Sequence, residues 1–228
     1  MAETERETVL RTSIGELALQ EYRLQAGARA WGVLHTEAVL SLDDETRFLD
    51  EQAGRMPYGV VLWPAAIALA HDVAERGDAL RGARVLELGA GTGLPGIVAA
   101  SFGAHVVQTD RHELALAVLR RNAARNGARE VVVRAADWEA WSDATRYDLI
   151  IGSDILYAER LHPFLRRIFD ANLTPGGRVL LADPFRAPSV RLLEAMEADG
   201  WTLAMSRWNV GGDASPRPIA VFELTRGA

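Results

Sequence analysis

VLELGAGTGLPG, Val85 to Gly96, is the stretch from which the rest of the chain is read. The β-prone run Val85 to Leu88 ends in Gly89, Gly91 and Gly93, and a helical apolar segment, Leu94 to Phe102, follows. Strand, glycine turn and helix in that order let a ligand lie against backbone that no Cβ obstructs, with the helix amides facing it. A tight turn alone would need fewer glycines than this one carries. The spacing of Gly91, Gly93 and Gly96 also satisfies the dinucleotide fingerprint, with Asp110 about where a ribose-binding acid is expected, so the glycines by themselves leave the ligand open.

Outward from this segment the same alternation repeats. Val85 to Leu88, His105 to Thr109, Glu130 to Arg134, Leu149 to Gly152 and Arg178 to Ala182 read as strands. Between them Leu94 to Phe102, Glu113 to Asn126, Leu161 to Ala171 and Ser189 to Ala198 read as helices. Parallel strands joined by crossover helices follow from such a pattern. At the end Trp201 to Trp208 and Ile219 to Leu224 are strand-like with only turn residues between them, which predicts an antiparallel hairpin closing the sheet. Before the glycines, the alternation over Gly15 to Leu24 and the β-prone Trp31 to Leu40 predict a second hairpin. Ser41 with Asp44 reads as a helix start for Leu42 to Gln52. The fold class is therefore α/β, a doubly wound, mostly parallel, Rossmann-like sheet. One ligand-binding domain over residues 59–228 carries an extension over residues 1–58 packed on it.

The ligand is narrowed by carboxylates at the ends of strands, the place where open α/β sheets bind theirs. Glu87, inside the strand before the first glycine, suits a ligand with a cationic end and would repel a pyrophosphate. That favours S-adenosylmethionine, with its ammonium and sulfonium, over NAD. Asp110 can take both ribose hydroxyls as a bidentate acceptor, or cap the next helix, or do both. Asp137 can accept from an adenine amine while Trp138 offers an apolar face, although a helix cap and a core aromatic explain the same two residues. Asp154 ends the fourth strand, beside the same crevice.

Composition closes other routes. The 228 residues are 49% hydrophobic and 25% charged, ordinary globular material, and no apolar run reaches the ~18 residues of a membrane span. Val60 to Ala70 comes nearest and is broken by Pro64. Glu3, Glu5 and Glu7 stand where an export signal would be basic and then apolar, so a cytoplasmic protein is expected. The absence of cysteine removes disulfides, thiolate metal sites and thiol nucleophiles. A formal charge of -6 disfavours nucleic acid and mildly favours a basic partner. His35, His71, His105, His112 and His162 show no metal-ligand spacing. Trp31, Trp141, Trp201 and Trp208 read as packing, and Arg120, Arg121 and Arg125 as the solvated face of a helix.

From Gly59 to Leu224 the sequence resembles the class I, seven-strand methyltransferases, and within them the small protein-lysine methyltransferases. The resemblance rests on VLWPAAIALA (Val61 to Ala70), LRGARVLELGAGTGLPGIVAASFGAHVVQTD (Leu80 to Asp110), Asp137 with Trp138, and DLIIGSDILY (Asp148 to Tyr157). It implies strand order 3-2-1-4-5-7-6 with the seventh strand antiparallel. It implies S-adenosyl-L-methionine as cofactor, S-adenosyl-L-homocysteine as product, and no metal. Trp63 would lie near the methionine part of the cofactor, with Ala90, Thr92, Arg111 and Ser153 joining Glu87, Gly89, Gly91, Asp110, Asp137 and Trp138 around it. Asp154 and Tyr157 match the family's Asp-x-x-Tyr, which holds the target side chain, so the partner would be a protein, met by a monomer without nucleic acid or membrane. Pro95, Ser153 and the run Asp183, Pro184, Phe185 depart from the common pattern. A small-amine methyltransferase, an NAD-dependent oxidoreductase and a non-catalytic binding module are the competing readings.

Overall fold

The computed structural model describes residues 8–12, 15–39, 58–211 and 216–227. Two antiparallel hairpins come first. In one, β1 (Val9–Thr12) pairs with β2 (Gly15–Ala18); in the other, β3 (Gln20–Ala26) pairs with β4 (Arg29–His35). The single strand expected over Gly15 to Leu24 is thus two, divided at Leu19, whose side chain is buried and whose N–H donates to the carbonyl of Thr8 at 2.6 Å. The chain turns between β3 and β4 at Gly27, whose φ of 58° is the left-handed conformation a tight hairpin needs. The β-prone run beyond Trp31 leaves the strand at His35 and keeps one bridge, Ala38 opposite Leu62. The helix expected over Leu42 to Gln52 lies outside the described residues.

Pro64 does not break an apolar helix; it starts one. It occupies the first turn of α1 (Pro64–Arg76), where no intrahelical amide is lost. There follow β5 (Arg84–Leu88), α2 (Leu94–Ser101), β6 (His105–Asp110), α3 (Glu113–Arg125), β7 (Val131–Ala135), β8 (Tyr147–Ser153), α4 (His162–Asn172), β9 (Leu173–Asp183), α5 (Ala187–Ala198), β10 (Trp201–Val210) and β11 (Arg217–Arg226). The sheet runs β7-β6-β5-β8-β9-β11-β10, which, counted from β5, is the expected 3-2-1-4-5-7-6. β11 is antiparallel to both of its neighbours, as the terminal hairpin predicted. Period-two alternation splits each central strand between two cores. Val85, Ile151 and Leu180 face α1 and α2, where they meet Ile67 and Val98. Leu86, Ile150 and Leu181 face α4 and α5, where they meet Phe169 and Met196. Helices on both faces bury the sheet, so its strands read as near-continuous apolar runs.

One contact ties the N-terminal hairpins to the glycine turn. Asn122 of α3 accepts from the Leu34 N–H at 2.7 Å and donates to the Leu34 carbonyl at 3.0 Å and the Thr92 carbonyl at 2.8 Å. Asn126 accepts from the Gly32 N–H at 3.1 Å and donates to its carbonyl at 2.7 Å. Four helix residues rise ~6 Å and two strand residues ~6.6 Å, so asparagines one turn apart match alternate backbone groups of β4. Arg121 donates to the Val9 carbonyl and Arg125 to Glu21, so this helix face is docked and not simply solvated. No described helix is long and apolar enough to cross a membrane.

Candidate functional site

Register brings the ends of five strands side by side. Leu88 lies opposite Thr109 on one side and Gly152 on the other, Asp110 opposite Ala135, and Ser153 opposite Ala182. The turns that leave β5, β6, β7, β8 and β9 therefore open at one edge, and the glycine turn occupies its centre.

That turn is shaped from both sides. Gly89, Gly91 and Gly93 have φ of 60°, 55° and 78°. A Cβ on Gly91 would stand 3.1 Å from the carbonyl oxygen of Gly59, so both the dihedral and the approach of the chain before α1 require glycine there. The Ala90 N–H donates to the Thr109 carbonyl at 2.9 Å, and Thr92 is buried. At the end of β6, Asp110 accepts from the Gly91 N–H at 3.1 Å through one oxygen and from the His112 N–H at 2.9 Å through the other. Each oxygen keeps a second lone pair for a ligand. Asp110 is not the N-cap expected of it, since the next helix begins at Glu113 with His112 at the capping position; its bonds instead tie the glycine turn to the loop before that helix. Arg111 beside it is exposed.

Glu87 corrects the sequence reading. Its carboxylate does not look out toward a ligand; it is 1% exposed and packed under α2. Oε2 accepts from the Gly96 N–H at 3.1 Å and from Gln108 Nε2 at 2.7 Å, and the same Nε2 donates to the Gly93 carbonyl at 2.8 Å. A Cβ on Gly96 would fall 2.3 Å from that carboxylate oxygen, so the last glycine of the motif makes room for Glu87. Burial pushes the Glu87 carboxyl up to about 8, against the pull of the Gln108 and Gly96 bonds. At neutral pH it is mostly protonated and supports the turn from beneath instead of pairing with a cation.

Trp138 sits over the turn: a Cβ on Gly89 would be 3.1 Å from the indole Cζ2. Asp137 is exposed and accepts from the Glu139 N–H at 3.0 Å, a turn cap that leaves its second oxygen outward. On the other flank Trp63 caps α1, donates its indole N–H to the Tyr58 carbonyl at 3.1 Å and stacks on the Tyr58 ring at 6.3 Å between centroids. Ser153 is half-buried at the end of β8, and Tyr157 is 54% exposed.

Asp154 directly follows β8, the strand end at which its sequence position puts it. Its backbone has φ 59° and its N–H donates to the Ala182 carbonyl at 2.9 Å. Its carboxylate is held by the guanidinium of Arg186, which also reaches the buried Asp183 at 3.4 Å. Arg186 went unnoticed in the sequence, where the acid, proline and phenylalanine before it were the only signal. Gln108 and Asn122 were missed as well; an i,i+4 asparagine pair on an alanine-arginine helix was the available clue to Asn122. No group of three or more histidine, aspartate or glutamate side chains able to hold a metal exists among the described residues.

A Rossmann-like sheet in this order, with a glycine turn, a strand-end acid and an Asp-x-x-Tyr on adjacent loops, defines the class I methyltransferase architecture. The chain belongs to the lysine methyltransferase family, whose model matches residues 42–190, well over half its length. It is 43% identical over 114 residues to the protein N-lysine methyltransferase METTL21A of Xenopus tropicalis, covering 48% of this chain and 53% of that protein. It is 37% identical over 139 residues to METTL21A of Danio rerio, covering 58% and 63%. A histone-arginine methyltransferase, METTL23 of Xenopus laevis, is 39% identical over 106 residues, covering 44% and 45%. The matched region thus spans roughly half to three-fifths of these relatives. Among solved structures, a T. thermophilus 16S rRNA N2 methyltransferase (RsmC) superposes with TM-score 0.61 at 20% identity, covering 91% of this chain and 51% of that one, a likeness of fold alone.

Proposed function

We propose that this protein transfers a methyl group from S-adenosylmethionine to a lysine side chain of a polypeptide. The observation that carries the reading is the register of Leu88 on Gly152, which starts the loop of Asp154 and Tyr157 next to the glycine turn, where Ile155 of that loop packs against Gly89. Membership of the lysine methyltransferase family and the likeness to METTL21A support the acceptor. The site fits the cofactor in its polar and apolar parts. Asp110 would accept from the ribose hydroxyls, Asp137 from the adenine amine, and Trp138 would cover an adenine face. Trp63, the turn backbone at Ala90 and Thr92, Arg111 and Ser153 would complete the surround, while Glu87 holds the turn from below.

When bound, the cofactor supplies an electrophilic methyl on a cationic sulfur, and the protein's task is to align a neutral amine with it and keep water away. A lysine with an unperturbed pKa of about 10.4 needs roughly 4 to 5 kcal/mol to be neutral at pH 7. Asp154 would orient the incoming amine, and Tyr157 would accept a hydrogen bond from it and wall the channel, with the proton leaving to water. Asp154→Ala should abolish turnover and leave cofactor affinity nearly intact. Labelled S-adenosylmethionine, a cell lysate and mass spectrometry of the labelled residue test this. Label confined to small solutes, label on residues other than lysine, or a full-rate Asp154→Ala enzyme would overturn it. A monomer in the cytoplasm is the setting this reading expects, and 31 acidic against 25 basic residues support a basic polypeptide over nucleic acid as partner.

A further inference from the structure

Two non-glycine residues with positive φ occur among the described residues, Asp154 at 59° and Phe185 at 63°. Backbone strain of this kind persists only where surrounding structure enforces it, and it gathers at functional sites. Here both residues flank one ion pair. Asp154 is fixed by its N–H on Ala182, and Phe185 by its ring, edge-on to Phe222 at 6.1 Å. Between them the Arg186 N–H donates to Asp183 Oδ1 at 2.8 Å, so the turn after β9 aims the guanidinium at Asp154. The side chains are 25% and 11% exposed, sheltered enough for the pairing to matter and open enough for a substrate to reach. Nearby charges form pairs of their own, Glu159 with Arg191 and Arg160 with Glu139.

A lone carboxylate beside a lysine nitrogen has an unwanted effect: it attracts the ammonium and so opposes the loss of the proton that methyl transfer requires. We propose that Arg186 is a positioning residue that sets the charge of the acceptor site, letting Asp154 accept a hydrogen bond from a neutral amine while weakening its hold on the ammonium. With Arg186 present, Asp154 and Asp183 leave one excess negative charge, enough to draw a cationic side chain in. Without it they leave two, and the bound amine holds its proton. In the transfer itself the neutral nitrogen's lone pair forms the N–C bond as the C–S bond breaks with its electron pair going to sulfur. Arg186 acts before that step, on the fraction of amine that is unprotonated. The inference rests on the lysine reading above.

The test compares wild type with Arg186→Gln and Arg186→Lys, using a lysine peptide that wild type labels. An opposite charge a few ångströms away shifts a titration by about 1 to 3 pH units. The acid limb of the kcat profile should therefore move up by about that much in Arg186→Gln, lowering kcat about 10- to 1000-fold near neutrality. KM should not rise. Arg186→Lys, which keeps the charge, should restore the wild-type limb. Calorimetry of the same peptide with S-adenosylhomocysteine present gives a second readout: as pH falls, Arg186→Gln should gain affinity for the peptide more steeply than wild type. A loss of rate by the same factor at every pH, or a Lys variant as impaired as Gln, overturns the inference and leaves the lysine reading standing. Wild type that labels no lysine overturns both.

Discussion

Replacing Glu87 with glutamine tests whether the acid beneath the glycine turn is neutral. Its pKa rises from an ordinary 4.5 to about 8 on folding, because burial opposes ionisation more strongly than the Gln108 and Gly96 bonds favour it. Unfolding therefore releases a proton between those two values. The stability this group contributes is full below the unfolded value and is lost as pH rises through the folded one. At about 1.4 kcal/mol per pH unit the swing is about 5 kcal/mol, a large part of the ~5–15 kcal/mol that holds a domain together. In Glu87→Gln an amide oxygen still accepts from Gly96 and Gln108, but a new buried amide nitrogen needs a partner, at a cost of about 1–3 kcal/mol. The two effects oppose each other, so the curves should cross. Urea unfolding should find the variant less stable than wild type near about pH 5 and more stable by about 2–4 kcal/mol near about pH 9. A difference between the two proteins that does not change with pH would refute the reasoning.

Asn122→Ala strips partners from the Leu34 N–H and carbonyl and the Thr92 carbonyl. A loss of about 2–4 kcal/mol by urea unfolding is expected, together with faster hydrogen exchange at the Leu34 amide. Gly91→Ala forces a Cβ to 3.1 Å from the Gly59 oxygen at φ 55°. It should cost about 1–2 kcal/mol in stability and remove the thermal shift that S-adenosylhomocysteine gives the parent protein.

The central fold was legible because its parts obey one rule each. Strands buried on both faces, such as Leu149 to Gly152, are continuous apolar runs, and the helices between them carry a 3.6-residue period. The misjudged elements are those in which local pattern and pairing disagree. The strand read over Arg178 to Ala182 is longer at its start, because β9 begins at Leu173, which pairs with Tyr147 across a bulge. Gly15 to Leu24 reads as one alternating segment, but its apolar phase shifts at the polar pair Gln20 and Glu21, and the contact of Leu19 with Thr8 marks where its halves part into different hairpins.

The positions of the site residues were legible for a topological reason: acids at the carboxyl ends of neighbouring parallel strands must come together. The direction each side chain takes was not, because it depends on partners far along the chain. Gln108 turns Glu87 inward from 21 residues away, and Arg186 captures Asp154 from 32. These two hidden partners give the carboxyls opposite tasks. Glu87, buried without a cation, is kept neutral by its surroundings, and its ionisation would loosen the turn that Gly96 and Gly93 build over it. Asp154, clamped by a guanidinium, has an acidic partner's charge balanced before any substrate arrives. Control of the turn's shape thus lies on the alkaline side of neutrality, and, in the role proposed for Arg186, control of the acceptor's protonation lies on the acid side. A glycine motif and an Asp-x-x-Tyr describe where these groups stand; the glutamine and the arginine decide what each carboxyl faces.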